Sequence, residues 1–569
     1  MNPEQDRCAG IFVPLFALRG TDDHGIGDTE ALTEMVDWCA QHGVRVLQIL
    51  PINETSGDNS PYNAVSSVAL EPTTLSLKPG SVPGMTEQIY ADVISRHSIA
   101  ELCDGSVQYR KLEALVNDAC SHALDNLSEA ELGAFARYLK QEEDWISAYT
   151  EFRTLMDWNA GSPVWQEWPE PHRNRKQLAG WRDSLDPEMR ERYDRSIRYF
   201  GFVQWVLHKQ WKRVTDYAHE RSVELMGDIP FGVSRHSADV WAQPELFDLD
   251  WSGGAPPEPL FQGDPFVKNW GQNWGVPLYR WQKMEESDYD WWKRRVRHVA
   301  QYFNLFRIDH VLGFYRLYSF PWSPERNAEF AEVSKEEVFE AVGALPRFFP
   351  ESDETEEGCL VNQKHGEKLL KMILEAAGNS IVVGEDLGVV PDYVRPSLKS
   401  LGISGFKIPV FERIEENREY KPKEEYPILT VATLATHDHE PMVALWNHWW
   451  KAFEQSYSLE DSDPLKQRGI EQSWELYRTQ RFVGLQDQEL IRDYEPMVRE
   501  AFIKSLWECP SWLSILMITD LYGLETRFNV PGPVSESNWS QRLPMTVGEL
   551  TSVEPYAGIS AWLQNLPSR

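Results

Sequence analysis

The sequence has no apolar run that could cross a bilayer, which takes about 20 consecutive apolar residues. Its N-terminus, MNPEQDRCAG, lacks the basic stretch and apolar core of a secretory signal, so no leader is predicted. Internal repeats and low-complexity linkers are also missing. Cysteine is scarce: Cys8, Cys39, Cys103, Cys120, Cys359 and Cys509 make six in 569 residues, with no pair at metal-ligating spacing. That pattern fits reduced structural thiols in a cytoplasmic protein rather than a disulfide framework. Positive charge is short as well, with 56 Lys and Arg against 88 Asp and Glu and a net charge of -32. Such a surface repels nucleic acid and anionic membranes, and it leaves a neutral substrate open.

What the chain does contain is eight short apolar, β-branched runs: residues 10–18, 45–51, 224–230, 305–311, 380–388, 402–411, 428–438 and 512–523. Near-continuous apolar runs suit strands buried on both faces of a parallel sheet. Helix-like segments follow several of them, such as 29–42 after the first and 392–401 after the fifth. The fold predicted is an α/β (β/α)8 TIM barrel with large, mainly helical insertions. The whole chain, 1–569, reads as one catalytic barrel. Residues 52–223 read as a helical insertion subdomain, 254–281 as an active-site loop, and 312–379 as an insertion between strands four and five. The acidic stretch 350–358 within that insertion reads as a solvated loop.

Polar residues gather at the ends of the runs. Asp228, Asp309, Glu385 and Asp438 sit at the C-terminal ends of the third, fourth, fifth and seventh, the face on which barrels of this kind build active sites. Each alone could be a helix cap or loop anchor. In LFRIDHVLGFYR (305–316), an extended chain turns Arg307 and Asp309 to one face. A neighbouring guanidinium favours the ionised carboxyl, so Asp309 suits a nucleophile, or equally a structural ion pair. Glu385 follows Ile381, Val382 and Val383, where partial desolvation would raise its pKa. One ionised and one protonated carboxyl about 5–5.5 Å apart is the requirement of a retaining glycosidase. Asp386 should point to the other side of its strand and cap a turn or helix.

Other features admit two readings. His437 and His439 flank Asp438 and could form an H-x-H metal pair, although His310 is the one further histidine at a strand end. Trp274 lies in a Gly- and Pro-rich stretch after the third run, which can be a lid or a pinned structural loop. Tyr62, in Ser60-Pro61-Tyr62, is a turn residue or an aromatic rim. The 24 tryptophans fit either a large aromatic core or stacking on sugar rings.

Taken in order, HGIGDTEAL (24–32), RVLQILPINET with SPYN (45–63), GDIPFGVSRHSADVW (227–241), GAPP (254–257), GQNWGVPLYRW (271–281), FRIDHVLGFYR (306–316), GEDLGVVP (384–391), THD (436–438) and DLYGLETRFNVPG with NW (520–539) form a series. This series resembles the amylomaltases, the 4-alpha-glucanotransferases or disproportionating enzymes of glycoside hydrolase family 77. The resemblance implies a retaining transfer of alpha-1,4-glucan segments from a malto-oligosaccharide to the 4-hydroxyl of glucose or another glucan. It implies Asp309 as nucleophile, Glu385 as general acid/base and Asp438 as transition-state stabiliser. Arg307, His310, His437 and Asp228 are implied as donor-sugar ligands, and Gln272, Trp274, Tyr62 and Asn529 as glucan contacts. No cofactor or metal is implied. The partners expected are alpha-1,4-glucans and glucose, with no nucleic acid or membrane, and a monomer is favoured. Departures lie after Arg316 as far as Val382, in extra residues 261–268, and in SGFKIPVF of the sixth run; they bear on chain length and product size. A glucan hydrolase, a non-catalytic glucan-binding barrel and a metal-dependent barrel hydrolase are the alternatives. Product sizing on maltotriose separates the first two from a transferase, and metal analysis the third.

Overall fold

The computed structural model describes residues 1–257, 264–532, 535 and 537–567. Twelve strands lie among them: β1 (Cys8–Phe12), β2 (Val46–Gln48), β3 (Glu224–Ile229), β4 (Phe247–Ala255), β5 (Gln272–Tyr279), β6 (Leu305–Ile308), β7 (Leu317–Phe320), β8 (Arg347–Phe349), β9 (Ile381–Gly384), β10 (Gly405–Lys407), β11 (Thr430–Thr433) and β12 (Leu513–Met517). Eight of them pair in parallel in the order β10-β11-β12-β1-β2-β3-β6-β9. A parallel bridge between Val383 and Ser404 closes the ring, with Gly384 N donating to Ser404 O at 2.9 Å. The result is the predicted TIM-like barrel. Every barrel strand falls on one of the eight apolar runs, with β1 beginning two residues early.

The runs form strands because both of their faces are buried. Val46, Leu47, Leu225, Met226, Leu305, Phe306, Val383, Val431, Leu513 and Ile515 are all in the core. Each large apolar side chain so buried contributes roughly 1.5–3 kcal/mol. Most of the tryptophans serve the same core, and Trp211, Trp241, Trp292, Trp446 and Trp512 are among its largest fully buried residues.

The insertions are not all helical. Strands β4, β5, β7 and β8 form a second, antiparallel sheet in the order β5-β4-β7-β8. The stretch 254–281 is therefore the end of β4, a helix Pro265–Trp270 and β5, rather than a plain loop; its residues 258–263, and with them part of 261–268, lie outside the described residues. A Cβ at Gly254 would meet Gln272 O at 1.9 Å, so the approach of β4 to β5 requires glycine there. The acidic stretch 350–358 is only partly loop. Thr355 caps the helix Glu356–Ala377, and Asp353 forms an ion pair with Arg316 and accepts from Asn362 Nδ2 at 2.9 Å.

Helices fill much of the chain between β2 and β3, ending in the long helix Pro187–Glu220. Two buried glutamines on that helix stand in for strand partners. Gln204 accepts from Leu70 N at 2.8 Å and donates to Leu70 O at 2.9 Å. Gln210 does the same for Ser76, at 3.0 and 2.8 Å. They satisfy an extended segment whose backbone would otherwise be orphaned in the interior. No helix among the described residues is long and apolar enough to cross a membrane.

Replacing Gln204 with Leu leaves both Leu70 groups unpaired, at about 1–3 kcal/mol for each unsatisfied buried group. The expected outcome is a lowered thermal midpoint by calorimetry, with the Gln204→Glu variant less affected on the N–H side than on the C=O side. An unchanged midpoint for Gln204→Leu would remove this role.

Candidate active site

At the C-terminal end of the barrel, β3 and β6 run side by side with Asp228 opposite Arg307. The buried guanidinium grips Asp228 with two bonds, Nε to Oδ1 at 3.0 Å and Nη2 to Oδ2 at 2.8 Å. The same Nη2 reaches Asp309 Oδ1 at 2.9 Å and Tyr62 Oη at 2.8 Å. Tyr62 in turn donates to Asp228 Oδ2 at 2.7 Å. Burial opposes the Arg307 charge, but Asp228, Tyr62 and Asp309 outweigh it and its pKa rises.

Arg307 alone does not dictate the state of Asp309, contrary to the sequence expectation. Burial pushes the Asp309 carboxyl well above its ordinary 3.8. Arg307 pulls the other way, and Asp228, Glu385 and Asp438 add to the rise. The guanidinium is already committed to Asp228, so its charge is divided between two carboxylates.

Glu385 follows β9, the neighbour of β6, with Ile308 opposite Gly384 and Glu385 N donating to Ile308 O at 2.9 Å. Its carboxyl accepts from two backbone amides, His310 N to Oε2 at 2.9 Å and Leu387 N to Oε1 at 3.1 Å. His310 adopts a left-handed φ of 46° to make its bond. Such a conformation in a non-glycine residue is costly and concentrates at functional sites. Burial raises the Glu385 pKa, with Arg307 and the two amides acting against it. Asp386 turns away, as the alternation of a strand requires. Instead of capping a turn or helix, it accepts from Phe406 N of β10 at 2.6 Å and from Arg395 Nε at 3.0 Å.

Asp438 behaves differently. Burial pushes it up, but His437, the Asn529 amide, His439 and Arg307 together bring its pKa below the ordinary value. Asn529 Nδ2 donates to Oδ1 at 2.6 Å, and His437 Nε2 lies 3.3 Å from Oδ2. The two histidines around it turn to different partners. His437 stacks on Tyr62, centroids 5.2 Å apart and planes 15° from parallel, whereas His439 Nδ1 bonds Thr436 Oγ1 at 2.7 Å. Among the described residues there is no group of three or more His, Cys, Asp or Glu disposed to hold a metal ion.

Trp274 is 39% exposed, and its ring stands edge-on to His310 at 4.8 Å. Its Nε1 donates to Gln272 Oε1 at 3.2 Å. All eleven candidate residues are thus joined by direct contacts or by the field around Asp309. Sequence reasoning does not single out Trp539, whose ring lies against Tyr62 and His437, or Phe12, which touches His437. It also passes over Phe411, 48% exposed beside His439. Trp539 belongs to the final NW of the motif series, and Phe411 to the run of the sixth strand, so both carried a signal.

The fold has solved counterparts. Amylomaltase from Corynebacterium glutamicum matches with a TM-score of 0.75 at 20% identity, over 98% of this chain and 75% of that one. Amylomaltase from Streptococcus agalactiae, solved with acarbose, matches with a TM-score of 0.72 at 23% identity over 98% of both chains. Among curated sequences, the 4-alpha-glucanotransferase of Chlamydia pneumoniae is 28% identical over 560 residues, 96% of this chain and 94% of its own. That of Thermus thermophilus is 29% identical over 415 residues, 71% and 72% of the two chains. A family model described as 4-alpha-glucanotransferase matches residues 13–546, and with a match of that extent the chain belongs to the 4-alpha-glucanotransferase family of glycoside hydrolase family 77.

Proposed function

We propose that this 4-alpha-glucanotransferase works by double displacement through a covalent glycosyl-enzyme on Asp309. The observation that carries the reading is the pairing of Asp309 and Glu385 at the ends of adjacent, in-register strands, each carboxyl with its own donors. An Asp309 oxygen attacks C1 of the donor glucose as the glycosidic C1–O bond breaks. Glu385 gives its proton to the departing 4-oxygen. In the second half, the Glu385 carboxylate takes the proton of an acceptor 4-hydroxyl, whose oxygen attacks C1 and releases Asp309. Asp438, held ionised, suits hydrogen bonds to ring hydroxyls that strengthen as positive charge develops at C1.

Burial raises both reacting carboxyls, and a proton held between close acids belongs to the pair. The productive form has that proton on Glu385, and the Nη2 bond to Asp309 favours it. Asp228, Arg307, His310 and His437 are read as donor-sugar contacts, and Tyr62, Gln272, Trp274 and Asn529 as contacts along the glucan. The acarbose complex of a structural relative is in keeping with a sugar-binding groove in this fold. Residues 52–223 are read as a helical subdomain of the single catalytic barrel.

The test is incubation with maltotriose followed by product sizing. A ladder of longer oligosaccharides with glucose supports transfer; only shorter products would make the enzyme a hydrolase. Glu385→Gln is expected to lose about 10²–10⁴-fold on maltotriose, as for removal of a general acid. It should still react with an alpha-glucosyl fluoride, whose leaving group needs little protonation, and accumulate an adduct on Asp309. Asp309→Asn should form no adduct from either donor. Peptide mass mapping that located the sugar on Glu385 would reverse the two roles.

The pH profile of kcat/KM follows from the same shifts. The active form holds one proton on the pair, so activity is lost as pH falls and the pair gains a second proton, and lost as pH rises and the proton needed on Glu385 leaves. Asp309 and Glu385 are raised from 3.8 and 4.5 respectively, so both limbs are expected above those values. With the fluoride donor, Glu385→Gln should abolish the alkaline limb and keep the acid limb. An alkaline limb that persists in that variant would assign it to another group.

A further inference from the structure

The aim of Trp274 is set by a segment that belongs to the insertion between β6 and β9. Strands β4 and β5 pair Gly253 with Val276 but Gly254 with Asn273. Trp274 and Gly275 therefore have no counterpart on β4 and bulge out of the ladder. Bulges of this kind redirect side chains and occur near active sites. Here the bulge places the indole 4.8 Å from the ring of His310, planes nearly perpendicular, and His310 is the residue whose backbone amide bonds Glu385. Gly275 completes the turn with a φ of 81°, and a Cβ on it would meet Pro324 Cγ at 3.1 Å.

The bulge is fastened by two asparagines. Asn273 Oδ1 accepts from Ser252 Oγ on β4 at 2.6 Å and from Gly275 N at 3.4 Å. Its Nδ2 donates to Trp322 O at 3.1 Å and to Asn327 Oδ1 at 3.0 Å. Asn327 Oδ1 also accepts from Trp322 Nε1 at 3.0 Å. One oxygen of Asn327 thus joins β5 to the segment after β7. That segment has its own footing in a small apolar cluster of Phe266, Trp270, Phe320, Trp322, Phe330 and Val338, separate from the main core.

We propose that Asn327 is a positioning residue for acceptor capture: through Oδ1 it holds the Asn273–Gly275 bulge and so the Trp274 wall. This rests on the reading of Trp274 as a glucan contact beside the reacting centre. In that reading, the indole lies 4.8 Å from the ring of His310, which is one residue from Asp309 and one hydrogen bond from Glu385, where a glucan would pass. A small displacement of that wall admits water and weakens the grip on an incoming glucan. Hydrolysis then gains on transfer, although Asn327 touches neither sugar nor reacting atoms.

The experiment compares wild type, Asn327→Ala, Asn327→Asp, Trp274→Ala and the double variant Asn327→Ala/Trp274→Ala on maltotriose, measuring elongated products against total reducing ends. Asp retains an acceptor oxygen where Asn327 acts, and Ala does not. Asn327→Ala is expected to lower the transfer-to-hydrolysis ratio by roughly threefold to tenfold, in the lower part of the range of coupling between contacting residues. It should also raise KM for acceptor glucose, while adduct formation from an alpha-glucosyl fluoride changes less than the ratio does. Asn327→Asp should restore the ratio, and in the Trp274→Ala background the Asn327→Ala change should have no further effect. Equal loss in Asn327→Ala and Asn327→Asp, or an unchanged ratio in Asn327→Ala, would overturn the proposal while leaving Trp274 in place if Trp274→Ala alone shifts the ratio. An unchanged ratio in Trp274→Ala would overturn both the reading of Trp274 and the role of Asn327. Poor folding of Asn327→Ala alone, with Asn327→Asp normal in midpoint and in ratio and Trp274→Ala shifted, would still support Oδ1 as the fastening atom.

Discussion

A single buried guanidinium sets the geometry of this site. Removing a cation from water costs several kcal/mol unless its donors are matched by close acceptors. Arg307 meets that demand with Asp228 from β3, Asp309 beyond the end of β6, and Tyr62 from the loop after β2. Those bonds fix three segments of the barrel rim relative to one another. Tyr62, once held, supplies the face on which His437 stacks, and His437 borders Asp438. The chain of dependence thus runs from one charge to the carboxylate next to it and to those of two further strands, β3 and β11.

The same charge is too small for its surroundings. Asp228, Asp309, Glu385 and Asp438 surround one arginine, and full ionisation of all four would leave the buried centre strongly negative. The site divides the load. Asp228 takes the bidentate grip, and Asp438 is relieved by its histidines and by Asn529. Asp309 and Glu385 are both left with raised pKa values, so the centre is relieved of negative charge by a proton held between these two carboxyls. His310 contributes backbone rather than imidazole to this balance. Its left-handed conformation turns an N–H onto Glu385, so a strained residue serves to hold a carboxyl in place.

The barrel was legible because its signal is local and strong: eight runs carry near-continuous apolar character, and four of them, such as SIVVGEDLG, then bring a carboxylate to the strand end. The Arg307–Asp309 contact was legible from a period of two. The second sheet was not, because β4 reads FDLDWSGGA, with Asp248, Asp250 and two glycines in poor strand company. Its pairing depends on close approach at Gly254 and on partners that come much later in the chain. The roles of Gln204 and Gln210 were hidden for the same reason, since each bonds a backbone 134 residues away. The pKa of Asp309 departs from the sequence expectation because the sequence reveals its arginine but neither the depth of burial, which is the largest cause of the rise, nor the neighbouring carboxylates that add to it.

The division between barrel and second sheet also divides the chemistry. Bond making needs groups fixed to fractions of an ångström, and the groups proposed for it, Asp309 and Glu385, directly follow the paired barrel strands β6 and β9. Choosing an acceptor over water needs an apolar wall that can be adjusted without disturbing that centre. In the reading proposed for it, Trp274 would meet the need from outside the barrel, on a sheet with a separate small core and a bulge of its own. Changes in residues 317–349 can therefore alter the wall while Arg307, Asp309 and Glu385 keep their partners. One of the segments in which this sequence departs from its family series begins directly after Arg316, where that freedom lies.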